Sequence, residues 1–154
     1  MGGGLWHPDA GALARLRASV DERPRRWRRA LGDRAFRETF LLASPPPSRK
    51  KTKGKKGKEE EEEEVVEAAV QAFAERNKEG ALKTRPKGFI PDHRDMALLR
   101  LRNFTVGKKL DDGVFTSEQG LEEVAGVVGA LVGFVSISFL VCCLMGVCGW
   151  CCAD

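Results

Sequence analysis

The feature that most constrains this chain is a long uncharged run at its C-terminal end. No Asp, Glu, Lys or Arg occurs from Val124 to Ala153. As a helix, Val124 to Trp150 would be roughly 40 Å long, which exceeds the roughly 30 Å of hydrocarbon in a bilayer. The run therefore predicts a hydrophobic helix over residues 124–150 that is long enough to cross a membrane.

Two interpretations of this run are open. In the favoured one, membrane lipid surrounds residues 124–150 in a tail-anchored arrangement with the bulk of the chain in the cytosol, since the front of the chain lacks the apolar segment of a signal peptide. The alternative is a core helix from Ser117 to about Val135, in a soluble protein of the cytoplasm or nucleus. Its inward face would hold Leu121, Val124, Val128, Leu131 and Val135. That helix leaves Ile137 to Trp150 unexplained.

Positive charge is concentrated at the other end. The first 43 residues contain nine Arg, no Lys and five acidic residues, which accounts for the whole net charge of +4. Arginines interleaved with Trp27 and Phe36 resemble a nucleic-acid-binding surface. We favour a solvated helix face with one or two buried aromatic side chains, because no nucleic-acid-binding motif accompanies the arginines. Nucleic acid is therefore a weakly supported partner.

The cysteines indicate neither a disulfide framework nor a metal site. All of them lie near the end of the chain, at Cys142, Cys143, Cys148, Cys151 and Cys152. Their number is odd, and no signal peptide precedes them. Cys148 and Cys151 have a spacing that suits zinc, but tetrahedral zinc needs four ligands and the other two are missing. We predict no metal and no cofactor.

Apolar residues three and four positions apart predict a set of short helices. These run from about Pro8 to Val20, Glu22 to Leu31, Asp33 to Leu42 and Val66 to Asn77, followed by a helix through Met96 and Leu101 and a final helix after Thr116 or Ser117. Asp33 and Asp92 are the predicted N-caps of two of them. Phe104 to Gly107 is a strand candidate. The predicted fold class is α+β, predominantly α, with one or two short strands and a long hydrophobic C-terminal helix.

An abrupt change of composition divides the chain. Residues 44–64 hold three consecutive prolines, a lysine-rich run and six consecutive glutamates, with no apolar side chain to anchor them apart from the prolines. Such a segment predicts a disordered insertion, although the glutamates suit the N-terminus of the helix that follows. The predicted organisation is thus 1–43 as the front part of a domain, 44–64 as the insertion, 65–123 as its second part, and 124–150 as the hydrophobic helix.

Two motifs carry a family resemblance. The opening Gly2-Gly3-Gly4-Leu5-Trp6-His7-Pro8 and the later Pro86-Lys87-Gly88-Phe89-Ile90-Pro91-Asp92-His93-Arg94-Asp95 resemble, in the same order, a family of uncharacterised bacterial and fungal proteins with a conserved domain of unknown function. The resemblance covers roughly residues 2–42 and 66–135. It implies an α+β fold in which a strand ends in the glycines and turns into a helix. It implies no reaction.

The resemblance also has limits that bear on the ends of the chain. Family members carry further strands before the triple glycine, so this chain resembles the middle and C-terminal part of the domain. The resemblance stops near Val135, where the composition changes. We therefore hypothesise that the residues after about Phe134 derive from a translated intron or altered exon, and that Met1 is an internal start.

The second motif contains the candidate site. His93 stands between Asp92 and Arg94, with Lys87 nearby, and such a group could do acid–base chemistry if its members meet. A structural interpretation is favoured, with Asp92 as a cap and His93 as a surface residue. Lys87, Asp92 and His93 are the weak catalytic candidates, and the substrate and the enzymatic status stay open. The function predicted is a non-enzymatic, membrane-tethered protein, with a soluble nucleic-acid-binding protein as the alternative.

Overall fold

A computed structural model describes residues 1–41 and 58–143, and within these the side chains of residues 1–41 and 62–139. The elements in chain order are β1 (Gly2–Leu5), α1 (Ala10–Glu22), α2 (Pro24–Gly32), α3 (Arg34–Phe36), a π-helical turn (Arg37–Leu41), α4 (Lys58–Arg76), α5 (Met96–Leu99), β2 (Phe104–Gly107), a 3-10 turn (Asp112–Thr116) and α6 (Gly120–Cys143). The fold is α+β and predominantly helical, as the sequence predicts.

The two strands form an antiparallel pair that joins the start of the chain to the segment between α5 and α6. Gly2 pairs with Gly107, and Leu5 pairs with Phe104. The strand predicted at Phe104–Gly107 is confirmed with the same bounds. The sheet packs on α6 through Gly3, where a Cβ atom would lie only 2.9 Å from the Leu131 side chain. A glycine is therefore what allows the strand and the helix to approach each other closely.

The front helices follow the predicted pattern with shifted ends. α1 begins at Ala10, not Pro8, because the Asp9 carboxylate caps it by accepting from the Ala12 N–H at 2.7 Å. Asp33 is confirmed as an N-cap, since its carboxylate accepts from the Phe36 N–H at 3.0 Å. The helix after it is not a regular α-helix, because α3 passes into a π-helical turn at Arg37.

The helix α4 overlaps the predicted insertion. It begins at Lys58, so the glutamates from Glu59 to Glu64 belong to the helix, which is the extension that the sequence left open for them. Their negative charge lies at the positive end of the helix dipole, which favours this extension. The rest of the predicted insertion, 44–57, lies outside the described residues. The inner face of α4 packs on α2, where Val66 lies against Gly32.

The predicted cap at Asp92 is wrong. Residues 84–95 run through turns, and α5 begins at Met96, after Asp95. The carbonyl of Asp95 accepts from the N–H groups of Leu98 and Leu99 at 3.0 and 3.1 Å, so the first helical bonds start there. The helix is also shorter than predicted and ends at Leu99. Just after its end, Nε of Arg100 donates to the carbonyl of Leu82 at 2.8 Å.

The start and the face predicted for the last helix also need correction. Thr116 and Ser117 do not cap it, because their hydroxyls donate backwards to Gly113 and Val114 within the 3-10 turn, both at 3.1 Å. α6 begins at Gly120. The predicted inward face is wrong by about a quarter turn. Leu121 is 81% exposed, and the buried side chains of residues 121–139 are Val127, Phe134, Ile137 and Ser138.

Side chains from the described α-helices and both strands meet in one hydrophobic core. Phe134 of α6 lies at its centre, with ring centroids 5.2 Å from Phe36, 5.3 Å from Phe73 and 6.5 Å from Trp27. The core therefore joins the front helices, α4 and α6 in a single packed unit. One face of α6, which contains the first half of the hydrophobic run, is thus part of this packed unit.

Candidate functional site

No hydrogen bond or ion pair joins the three candidate residues of the second motif in the described structure. His93 is half-buried, whereas Lys87 and Asp92 are exposed. None of the hydrogen bonds or ion pairs between described side chains links Lys87 or Asp92 to His93. Their catalytic role stays a prediction, and the geometry adds no support to it.

His93 instead bridges α1 to the start of α5. Its Nε2 lies 3.1 Å from Oδ1 of Asp21, and its Nδ1 accepts from the Asp95 N–H at 3.0 Å. Because Nδ1 accepts, the proton of the neutral ring is on Nε2, which points at Asp21. The arrangement orients His93 as a link between elements. His7, the other histidine, has different neighbours: its ring packs edge-on against Trp6, and its backbone N–H donates to Oδ1 of Asn103.

A buried ion pair lies directly beside His93. Arg28 of α2 donates to Oδ1 of Asp95 at 2.6 Å and to Oε2 of Glu67 in α4 at 2.8 Å. Arg28 and Asp95 are both buried, and the Asp95 side chain is only 1% exposed. Among the described residues, Oδ2 of Asp95 and Nε of Arg28 find no hydrogen-bond partner. One guanidinium thus joins α2, α4 and the loop before α5.

The charges of this cluster stabilise one another. Burial lowers the pKa of Arg28, but hydrogen bonds and attraction from Asp95 and Glu67 outweigh it, so the pKa is raised overall. For Glu67, burial acts to raise the pKa, but hydrogen bonds from Gln71 and Arg28 outweigh it and the pKa is lowered. Both groups therefore stay ionised near neutral pH. Such a cluster suits a structural link better than proton transfer, because neither charge changes easily.

The sequence gives no signal for this cluster, because its partners come from distant parts of the chain. In the sequence, Arg28 does not differ from the other arginines of a basic helix, and Asp95 is one of several polar residues of the second motif. In the part of the chain that the structure describes, no group of three His, Cys, Asp or Glu could hold a metal ion. The zinc-like pair Cys148 and Cys151 lies outside that part.

The most distinctive surface is the outward face of α6. Four large apolar side chains are exposed along it, Leu121 by 81%, Val128 by 46%, Val132 by 55% and Phe139 by 57%. Gly120–Phe139 is long and apolar enough to cross a membrane, and only 22% of its most apolar window is buried. A core helix of a soluble protein is normally buried over most of such a window. We call these four side chains the apolar stripe.

Beside the apolar stripe, α2 and α6 enclose a groove of about 410 Å³. We call it the α2–α6 groove. Its α2 side is lined by Arg26, Arg29 and Ala30, followed by Asp33, and its α6 side by Gly129, Ala130, Gly133, Phe134 and Ile137. The sequence pattern alone does not place the arginines beside α6, because their proximity to it depends on how α2 packs on α6.

The arginine-rich front divides into two groups in the structure. Four of its members are bound within the fold: Arg17 to the carbonyls of Leu99 and Leu101, Arg28 to Asp95 and Glu67, Arg34 to Glu38, and Arg37 to the carbonyl of Gly32. The other five form no ion pair among the described residues: Arg15 is half-buried, and Arg23, Arg25, Arg26 and Arg29 are exposed, at the start of α2 and along it. Trp27 and Phe36 are both buried in the core, so neither can stack on a base here.

The described chain is thus a helical α+β unit with a short sheet, a buried polar link and one exposed apolar helix face. It belongs to a family described as "Conserved hypothetical protein (DUF2461)", whose match covers residues 1–136. The resemblance to a domain of unknown function is therefore confirmed. Neither the curated proteins nor the solved structures include a match to this chain. The family match ends within α6, just before Ile137.

Proposed function

We propose that this protein is a membrane-associated member of its family that attaches through α6. The observation that carries the proposal is the apolar stripe. Its four large apolar side chains are exposed, and the helix that bears them has no charged residue after Glu123. Apolar side chains of this size gain roughly 1.5–3 kcal/mol each when they leave water, so a contiguous stripe marks a contact surface.

The packing of α6 supports attachment to one leaflet over a full crossing. A helix that crosses the bilayer with residues 124–150 would pull Val127, Phe134 and Ile137 out of the core. Losing a buried Phe alone costs about 3–5 kcal/mol. The favoured arrangement keeps the core intact and puts the apolar stripe and the following residues against lipid.

The test is flotation of the full-length protein with phosphatidylcholine vesicles. We expect the wild-type chain to float, and a Val128→Glu/Val132→Glu variant to stay at the bottom of the gradient, because two charges on the apolar stripe would have to enter the bilayer interface. Ala14→Glu places a charge at an exposed position of α1 and should float normally. Thermal unfolding followed by circular dichroism checks that all three chains are folded.

Two results would contradict the proposal at different levels. A wild-type chain that stays monodisperse without detergent and does not float would reject membrane association. A tag placed after Asp154 separates the two membrane arrangements: we expect protease added outside sealed vesicles to remove it. Protection of the tag would show that the tail crosses the bilayer, and would overturn attachment to one leaflet.

A further inference from the structure

We infer that the α2–α6 groove binds the phosphate-bearing headgroup of an anionic phospholipid. The inference rests on the proposed function and adds to it the class of lipid that the protein prefers. It follows from three features of the groove: a pair of exposed arginines, an open apolar floor, and a position beside the apolar stripe.

Arg26 and Arg29 supply the charge. They lie one turn apart on α2 and are exposed, whereas Arg28 between them points into the core. Within the described chain, neither Arg26 nor Arg29 forms an ion pair. A guanidinium is planar and can bind two phosphate oxygens at once. The one acid that lines the groove, Asp33, already accepts a hydrogen bond from the Phe36 N–H at 3.0 Å.

The floor of the groove is open and apolar. Gly129 and Gly133 lie one turn apart on α6, and a Cβ atom built on either would meet nothing within 4 Å. Ala130, Phe134 and Ile137 complete the floor with carbon. A volume of about 410 Å³ is within the range of sites for small ligands. The groove thus offers cationic donors at one side and apolar contacts at the other, as an amphiphile with an anionic head requires.

The position of the groove identifies the source of the phosphate as a membrane lipid. Gly129 and Gly133 directly follow Val128 and Val132 in the sequence, so the groove opens on the flank of the apolar stripe. When the stripe lies on a bilayer, the two arginines are held near the level of the headgroups. Free phosphate would gain nothing from the apolar floor. Nucleic acid would gain charge contacts, but Trp27 and Phe36 are buried and provide no stacking surface.

The experiment compares full-length protein on neutral and anionic vesicles. An arginine near an anionic surface contributes about 1 kcal/mol, equivalent to about fivefold in affinity, so two arginines contribute roughly 30-fold. Both lipids carry a phosphate, but in phosphatidylcholine it is neutralised by the choline of the same headgroup, whereas phosphatidylserine has a net negative charge. We therefore expect the wild-type chain to bind phosphatidylcholine vesicles with added phosphatidylserine roughly 30-fold more tightly than phosphatidylcholine alone. Arg26→Gln/Arg29→Gln should lose this preference and keep the binding to phosphatidylcholine. Lys83→Gln/Lys87→Gln, which removes the same charge from exposed positions outside the groove, should keep the preference.

The outcomes separate the inference from the proposed function. Equal binding of the wild-type chain to both vesicles, or an equal loss in both double variants, would overturn the groove while membrane attachment stands. Absence of binding to either vesicle would reject membrane attachment itself. A third result also overturns the inference: Arg26→Gln/Arg29→Gln weakens binding to a single-stranded RNA probe and leaves binding to anionic vesicles unchanged.

Discussion

Arg28 contributes more to the stability of the fold than its position in a basic helix indicates. Among the described residues it is the one ion-pair partner of Asp95, and both side chains are buried. Replacing Arg28 with Met keeps most of its volume but leaves Asp95 as an unpaired buried charge, which typically costs about 3–5 kcal/mol. We expect that loss in the free energy of unfolding, measured with urea at neutral pH.

Arg34 provides the matched control for this prediction. It forms an ion pair with Glu38 at 2.9 Å, but both side chains are more than half exposed. Exposed pairs contribute little, commonly below about 1 kcal/mol. Arg34→Met should therefore leave the unfolding free energy nearly unchanged. Similar losses for the two variants would show that the Arg28 cluster is not the buried link described above.

Single residues were predictable from the sequence where their role is local. Asp33 caps a helix through a bond that spans three residues, and the pattern of a polar residue before an apolar run is enough to find it. Asp92 and Asp95 stand in one motif, and local pattern favours either as a cap. Which of the two precedes the helix depends on the ion pair between Arg28 and Asp95 and on the hydrogen bond from the Asp95 N–H to His93. No local sequence pattern contains these contacts.

Elements were predictable to the extent that their apolar spacing is informative. β2 is a short β-prone segment between polar residues, and its bounds were right. α6 is apolar on all sides after Glu123, so its spacing does not indicate which face turns inward. That face is set by the aromatic side chains around Phe134. The same limit explains why the groove between α2 and α6 was missed.

The strand β1 depends on a backbone conformation that favours glycine. Gly4 has φ of +123°, and a Cβ atom there would lie 2.0 Å from the Phe104 carbonyl oxygen of β2. Gly4→Ala should therefore destabilise the fold by about 1–3 kcal/mol, since it combines strain with a backbone clash.

Gly113 serves as the control for this substitution, because a Cβ atom there meets nothing within 4 Å. Gly113→Ala should change the unfolding free energy by less than about 0.5 kcal/mol. Thermal unfolding of both variants tests the comparison. A Gly4→Ala chain as stable as Gly113→Ala would contradict the pairing of β1 with β2.

Taken as one molecule, the chain uses a single helix for two purposes. α6 closes the hydrophobic core with one face and exposes the apolar stripe with the other. A chain that ends at Glu123 would therefore lose part of the core as well as the tail. If that chain failed to bind vesicles, the result would not distinguish loss of the core from loss of the apolar stripe. Substitutions on opposite faces of α6 do separate them.

Phe134 and Phe139 allow this separation with one side-chain type. Phe134 is 1% exposed and contacts three aromatic rings, whereas Phe139 is 57% exposed on the apolar stripe. Phe134→Ala should lower the unfolding free energy by about 3–5 kcal/mol. Phe139→Ala should leave it within about 0.5 kcal/mol and instead weaken flotation with phosphatidylcholine vesicles. If residues 124–150 crossed the bilayer, Phe134 would face lipid or another helix, and its replacement would not destabilise the soluble unit. Equal unfolding free energies for the two variants would therefore favour the crossing helix over the packed one.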